Sequence, residues 1–261
     1  MSPARSSVVL FHGVTMSAAA WDDVVPHLSD HHEVFAPTAL GHRGGPAVRQ
    51  RPVRVRDVVD AAERMLDDRG IEQAHLAGNS LGGWIAIELA LRGRASSVCA
   101  LSPAGFWNPG GHGQTAAVRK LRRLGALTRA THRVQPLVFC SATIRRLAMR
   151  DIACHADRLT PAQALTAATD LVECAATEDL LATDEYISAV PDLPCPITLA
   201  WSGADAILPP EVNGRIARER LPQARFEILP GVGHVPMIDD PELVATTILA
   251  TTGAVPGPHR A

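Results

Sequence analysis

Short apolar runs recur along the chain, each closed by glycine, proline or a polar turn. They are "SSVVLFHG" (6–13), "HEVFAPT" (32–38), "QAHLAG" (73–78), "SSVCALSP" (96–103), "PITLAWSG" (196–203) and "ARFEILPG" (224–231). Such runs read as strands, most of them apolar on both faces. Between them lie helical patterns. In "VRDVVDAAERMLDDRG" (55–70), Val55, Val58, Val59, Ala62, Met65 and Leu66 share a helical face and Gly70 supplies the stop. A second helix follows Ser80, where Trp84, Ile85, Ile87, Leu89 and Ala90 fit a helix buried on most sides. Strands alternating with helices predict an α/β fold: a three-layer sandwich with a mostly parallel sheet of about six strands and helices on both faces.

The alternation breaks after Ser102. From Pro103 to Leu193 only helix-like patterns occur, such as "QTAAVRKLRRLGALTRA" (114–130) and "PAQALTAATDLVECAA" (161–176), before "LPCP" reopens a strand at Ile197. This predicts a helical insertion into an α/β core, and 261 residues accommodate one domain of that kind. The insertion is electrostatically lopsided: no Asp or Glu occurs from Leu89 through Arg150, a span holding Arg119, Lys120, Arg122, Arg123, Arg145 and Arg146. Two readings remain open. Basic and acidic helices pair across solvated faces, or a basic rim attracts an anionic substrate or an acidic partner.

Net charge is −2 with His neutral, so nothing in the total points to a nucleic-acid surface. Five widely spaced cysteines (Cys99, Cys140, Cys154, Cys174, Cys195) form no CxxC or His-Cys pattern, which leaves mostly buried thiols and no metal site. No stretch of about 18 apolar residues occurs and the N-terminus reads as no leader, so the expectation is a cytoplasmic protein without a membrane span. The tail "TTGAVPGPHRA" (251–261) is expected to fray.

The densest chemistry lies in "HLAGNSLGGWIAIELA" (75–90), where a serine stands between two glycines at the point where a buried strand becomes a helix. Gly78-Asn79-Ser80-Leu81-Gly82 matches the G-x-S-x-G nucleophile elbow in the strand-turn-helix context that motif requires. So sharp a turn strains the central residue, and the glycines let the flanking backbone pass closely. The helix start favours an anion beside the exposed hydroxyl. A serine hydroxyl needs a base held by a carboxylate. Of 11 histidines, His234 in "ILPGVGHVPMIDDPELVA" follows the last strand in a glycine-flanked loop. Asp205 in "LAWSGADAILPP" follows the preceding strand, whereas Asp192, Asp239 and Asp240 lie where solvated or helix-starting carboxylates are equally expected.

With these three motifs in the order Ser, Asp, His, the chain resembles the α/β-hydrolase fold family from Val8 to about Leu249. The resemblance implies a triad of Ser80, Asp205 and His234 and no cofactor or metal. It implies an oxyanion hole from the N–H groups of Val14 and Leu81, because "LFHGVTMSAAAW" (10–21) carries His12-Gly13-Val14 at the corresponding place. It makes His12 a loop organiser, Trp21 a packing residue, residues 1–103 and 193–261 the core, and 104–192 a helical cap. Phe106, Trp107, Leu137, Phe139 and Met149 then become candidate pocket residues, with Phe106, Trp107 and Phe139 foremost. "TALGHRGGP" (38–46) departs from the commoner acidic Gly-His-Gly loop but keeps Gly41 and Gly44.

A serine at the elbow argues for acyl chemistry rather than for the aspartate-dependent dehalogenases and epoxide hydrolases of the family. The leading expectation is a serine hydrolase of a small carboxylic ester or thioester, monomeric or homodimeric. Two alternatives stay open: a C–C bond hydrolase of vinylogous diketones, disfavoured by Val235 and Pro236 after His234, and a hydrolase-like receptor with little turnover.

Overall fold

The computed structural model describes residues 5–108 and 112–255; the end of the tail, 256–261, lies outside them. Each of the six apolar runs forms a strand: β1 (Ser7–Phe11), β2 (Glu33–Phe35), β3 (Ala74–Asn79), β4 (Ala95–Leu101), β5 (Ile197–Ser202) and β6 (Arg225–Leu229). They make one sheet in the order β2-β1-β3-β4-β5-β6, and every neighbouring pair is parallel.

Side chains alternate across a strand, so a run that is apolar throughout must be covered on both faces. Val9, Phe11, Leu76, Val98, Ala100, Leu199 and Trp201 enter one core with the helices Val55–Asp67 and Leu81–Leu91. Val8, Leu10, Ala77, Cys99, Leu101 and Ala200 enter the other, with Trp21 and the helix Pro241–Thr252. Trp21 is fully buried there, in the packing place expected of it. The helix Leu81–Leu91 is buried nearly all round, which explains its lack of a polar face.

Between β4 and β5 the described residues form no strand. Of the helices there (His112–Thr131, Gln135–Val138, Ala142–Ala148, Pro161–Glu173 and Thr177–Leu181), all but Gln135–Val138 contribute residues to a helical layer that lines the cavities bordered by Ser80. Two buried carboxylates tie this layer down. Asp170 accepts from Ser17 Oγ at 2.6 Å and from Arg43 Nε at 2.5 Å. Asp239 accepts from the N–H groups of Gly233, Cys154 and His155 at 2.7, 3.0 and 2.6 Å. The structure thus departs from the solvated or helix-starting environment expected for Asp239, while Asp240 does cap a helix through Leu243 N–H at 2.9 Å.

Part of the basic stretch is paired: Arg122 lies 3.1 Å from Glu178 and Arg146 3.9 Å from Asp157, both exposed contacts of small energetic weight. Lys120 instead donates to Ala206 O. All five cysteines are free thiols; two are buried, two are half-buried and Cys140 is exposed. Among the described residues no helix is long and apolar enough to cross a membrane.

Candidate active site

The sheet itself selects the place for chemistry. The chain runs outward from β1 to β2, then returns to the other side of β1 as β3, so the loops leaving β1 and β3 diverge and open a crevice at the carboxyl edge. Ser80 stands at that edge with φ 55° and ψ −115°, a conformation rare for a residue with a side chain. Three hydrogen bonds hold it there. Its N–H donates to Leu101 O at 3.0 Å, and its carbonyl accepts from Trp84 N–H at 3.1 Å and Ala104 N–H at 2.9 Å. The flanking glycines are sterically required: a Cβ on Gly82 would meet Phe11 O at 1.9 Å, and one on Gly78 would meet the Gly82 carbonyl at 2.2 Å.

The loops after β5 and β6 bring Asp205 and His234 together. His234 Nδ1 donates to Asp205 Oδ2 at 2.8 Å. Asp205 Oδ1 accepts from Ile207 and Leu208 N–H at 2.9 and 2.8 Å, so both carboxylate oxygens are engaged and the group is fixed in orientation. Both side chains are buried. Asn79 Nδ2 holds the His234 carbonyl at 2.8 Å, and Val235 N–H donates to Ile152 O at 2.9 Å, which anchors the loop from both sides. Ser80 and His234 border the same cavity, with no hydrogen bond joining the two side chains. Apo geometry of this kind commonly tightens only when substrate arrives. The N–H groups of Val14 and Leu81 have no acceptor among the described residues.

Two cavities meet at Ser80, enclosing about 550 and 800 Å³ of non-atom space with their mouths. Val55, Leu81, Trp84, Trp107, Leu180 and Leu208 are among the residues lining the smaller, and Met16, Phe139, Met149, Ile152, Leu171 and His234 among those lining the larger. Val14, Ser80 and Leu121 border both. Among the described residues no Asp, Glu, Lys or Arg lines either one, and no group of three or more His, Cys, Asp or Glu is placed to hold a metal.

The sequence matches the α/β hydrolase family over residues 8–247. The chain belongs to this family. Its relatives include an epoxide hydrolase of Mycobacterium tuberculosis, 30% identical over 195 residues that make up 73% of this chain and 91% of that protein. A pimeloyl-[acyl-carrier protein] methyl ester esterase of Aromatoleum aromaticum is 30% identical over 256 residues, 94% of this chain and 97% of that one. Among solved structures, a thermophilic esterase from Thermogutta terrifontis superposes with a TM-score of 0.70 at 23% identity, over 96% of this chain and 90% of that one, a likeness of fold.

In this hydrolase the expected pocket residues separate. Trp107 borders the smaller cavity, and Phe139 and Met149 the larger. Phe106 borders neither: it is fully buried, its ring centroid 6.4 Å from that of Trp201, and its carbonyl accepts from Asn213 Nδ2 at 2.9 Å. Phe106 and Trp107 are sequence neighbours, yet one packs down into the core and the other up into the site. Leu137 is 78% exposed and lines nothing. His12 organises its loop, donating from Nδ1 to Gly13 O at 2.8 Å and accepting at Nε2 from Ala39 N–H at 3.0 Å. Burial, reinforced by nearby His42, pushes its pKa down to about 3, so it stays neutral. The sequence did not separate Asp239 from Asp192 and Asp240, and it offered no sign of Leu121. Asp239 carried only a general acidic signal, and Leu121 is one leucine among many in a basic helix.

Proposed function

We propose that this hydrolase cleaves a carboxylic ester or thioester through Ser80, His234 and Asp205. The observation that carries the reading is the buried His234–Asp205 hydrogen bond at the edge of the cavity that also holds the strained Ser80. In the reaction, Ser80 Oγ attacks the carbonyl carbon while His234 Nε2 takes its proton. The carbonyl π electrons move to oxygen, which draws donors from the N–H groups of Val14 and Leu81. Collapse of this intermediate expels the alcohol or thiol, protonated by His234, and leaves an acyl-Ser80. Water, deprotonated by His234, then releases the acid and restores the serine. Asp205 holds the imidazole in the Nδ1–H tautomer and stabilises the imidazolium.

We take residues 104–192 as the cap over this site, and Trp107 and Phe139 as substrate contacts, one on each side of Ser80. The test is intact mass after exposure to a fluorophosphonate, with turnover of p-nitrophenyl esters, for wild type and Ser80→Ala. Stoichiometric labelling and repeated turnover in wild type, both lost in Ser80→Ala, are expected. Full activity in Ser80→Ala would overturn the assignment, and labelling without turnover would favour a receptor.

A further inference from the structure

The helix His112–Thr131 crosses both cavities. Ala117 and Val118 line the smaller, Leu121 lines both, and Leu124 and Thr128 line the larger. The spacing 117, 121, 124, 128 is one stripe of an α-helix, and at 1.5 Å rise per residue the 11 steps from first to last span roughly 16 Å. The helix therefore lies lengthwise over the site, small residues above one cavity, Leu121 above the junction. One tie to the loop below is Lys120, whose ammonium donates to Ala206 O next to Asp205. At the junction the other two shared residues, Val14 and Ser80, belong to the floor of the site. Among the described residues Leu121 is the one residue of this helix that borders both cavities.

Chemistry distinguishes the two sides. His234 must deliver its proton to the departing oxygen or sulfur, so the leaving group has to lie on the side where the imidazole is. His234 lines the larger cavity and is absent from the smaller. Among the described residues neither cavity is lined by Asp, Glu, Lys or Arg, so an ionised group held within either one would be desolvated without a charged partner. Alanines line the larger cavity at positions 148, 164, 167 and 168, leaving width for a bulky group.

We infer that the substrate is an uncharged ester or thioester apolar on both sides, with its acyl group in the Trp84–Trp107 cavity, its leaving group in the Phe139–His234 cavity, and Leu121 as the partition that sets how much of each fits. This rests on the Ser80 triad reading and adds to it the class of substrate and its direction of binding.

The test uses two substrate series on the purified full chain. One fixes the alcohol and lengthens the acyl chain (methyl acetate to methyl octanoate); the other fixes the acyl group and lengthens the alcohol (methyl butyrate to octyl butyrate). Fluorophosphonate labelling of Ser80 in each variant, measured first, reports on the triad independently. Ala117→Leu, which narrows the smaller cavity, is expected to cut the kcat/KM ratio of long to short acyl chains by about tenfold or more, and to leave the alcohol-series ratio within about twofold. Ala168→Leu is expected to do the reverse, and Leu121→Ala to extend the accepted length in both series. Ratios within one variant cancel differences in the amount of folded protein.

If Ser80 labels but Ala117→Leu and Ala168→Leu act on the opposite series, or on neither, the assignment of the cavities is overturned while the triad stands. If Leu121→Ala changes neither series, Leu121 is no partition. Faster turnover of acids or amines attached to either end than of their neutral counterparts would overturn the apolar class. Absence of labelling would instead strike the triad itself.

Discussion

Ser80 shows how one residue can be both the most improbable and the most tightly determined in a fold. Its positive φ is a local cost, sustained because its N–H and carbonyl are bound to the end of β4, to the loop that follows it and to the first turn of its own helix. Gly82 shares the burden, since its missing side chain admits Phe11 O. Gly82→Ala is expected to destabilise the protein by about 3 kcal/mol or more, or to prevent soluble expression, as judged by urea unfolding. Gly44→Ala, at an open glycine with positive φ, should cost far less. At Asp205 the expected outcome is functional instead. Asp205→Asn should lower kcat by about 10⁴-fold with an unchanged circular dichroism spectrum, because the amide cannot accept from Nδ1–H in the same way; wild-type turnover would remove Asp205 from the mechanism.

Among the elements, the segment Ile152–His155 and the loop carrying His234 behave as one unit. Asp239 joins them through three backbone N–H groups, and a Cβ on Gly233 would come within 2.9 Å of Ala153 Cα, so nothing but glycine fits at that contact. Removing the carboxylate leaves the buried Gly233 N–H unpaired, at about 1–3 kcal/mol, and the part-buried N–H groups of Cys154 and His155 unpaired at less. Asp239→Ala is accordingly expected to lower unfolding free energy by at least about 2 kcal/mol in denaturant titration. It should also reduce kcat through a loosened His234, while Asp239→Asn, which keeps one acceptor, recovers part of both. An unaffected Asp239→Ala would mean that the loop is held without the clamp. This role was not readable from "MIDDPE", where adjacent aspartates look alike; burial separates them, one a three-way acceptor and the other a helix cap.

Across the whole molecule, neutral histidines couple stability to pH. His12, His32 and His75 all have pKa values lowered chiefly by burial. Unfolded imidazoles take up protons below about pH 6.5, whereas these folded ones resist, so the unfolded state gains protons and stability falls as pH drops. For His12 the loss continues down to about pH 3 and amounts to about 2 kcal/mol between pH 7 and pH 5. Thermal unfolding should therefore show a Tm that declines from pH 7 to pH 5. His12→Gln should start lower and decline less; equal slopes in the two proteins would refute the account.

The fold was legible in the sequence because the inner strands, covered on both faces, must be largely apolar, and all six runs became strands, the two at the edges, β2 and β6, keeping exposed charged residues. The elbow was legible because so strained a turn admits few residue types, and the Ser80, Asp205 and His234 loops could be ordered along the chain. Spacing could not reveal which side chains share a cavity. Phe106 and Trp107 parted, Leu137 turned outward, and Leu121 came to rest over Ser80. Periodicity reports which face of an element is buried, but not what the face is buried against. That depends on how the helices between β4 and β5 settle over the sheet, a matter of contacts between residues far apart in the chain, which tertiary packing alone decides.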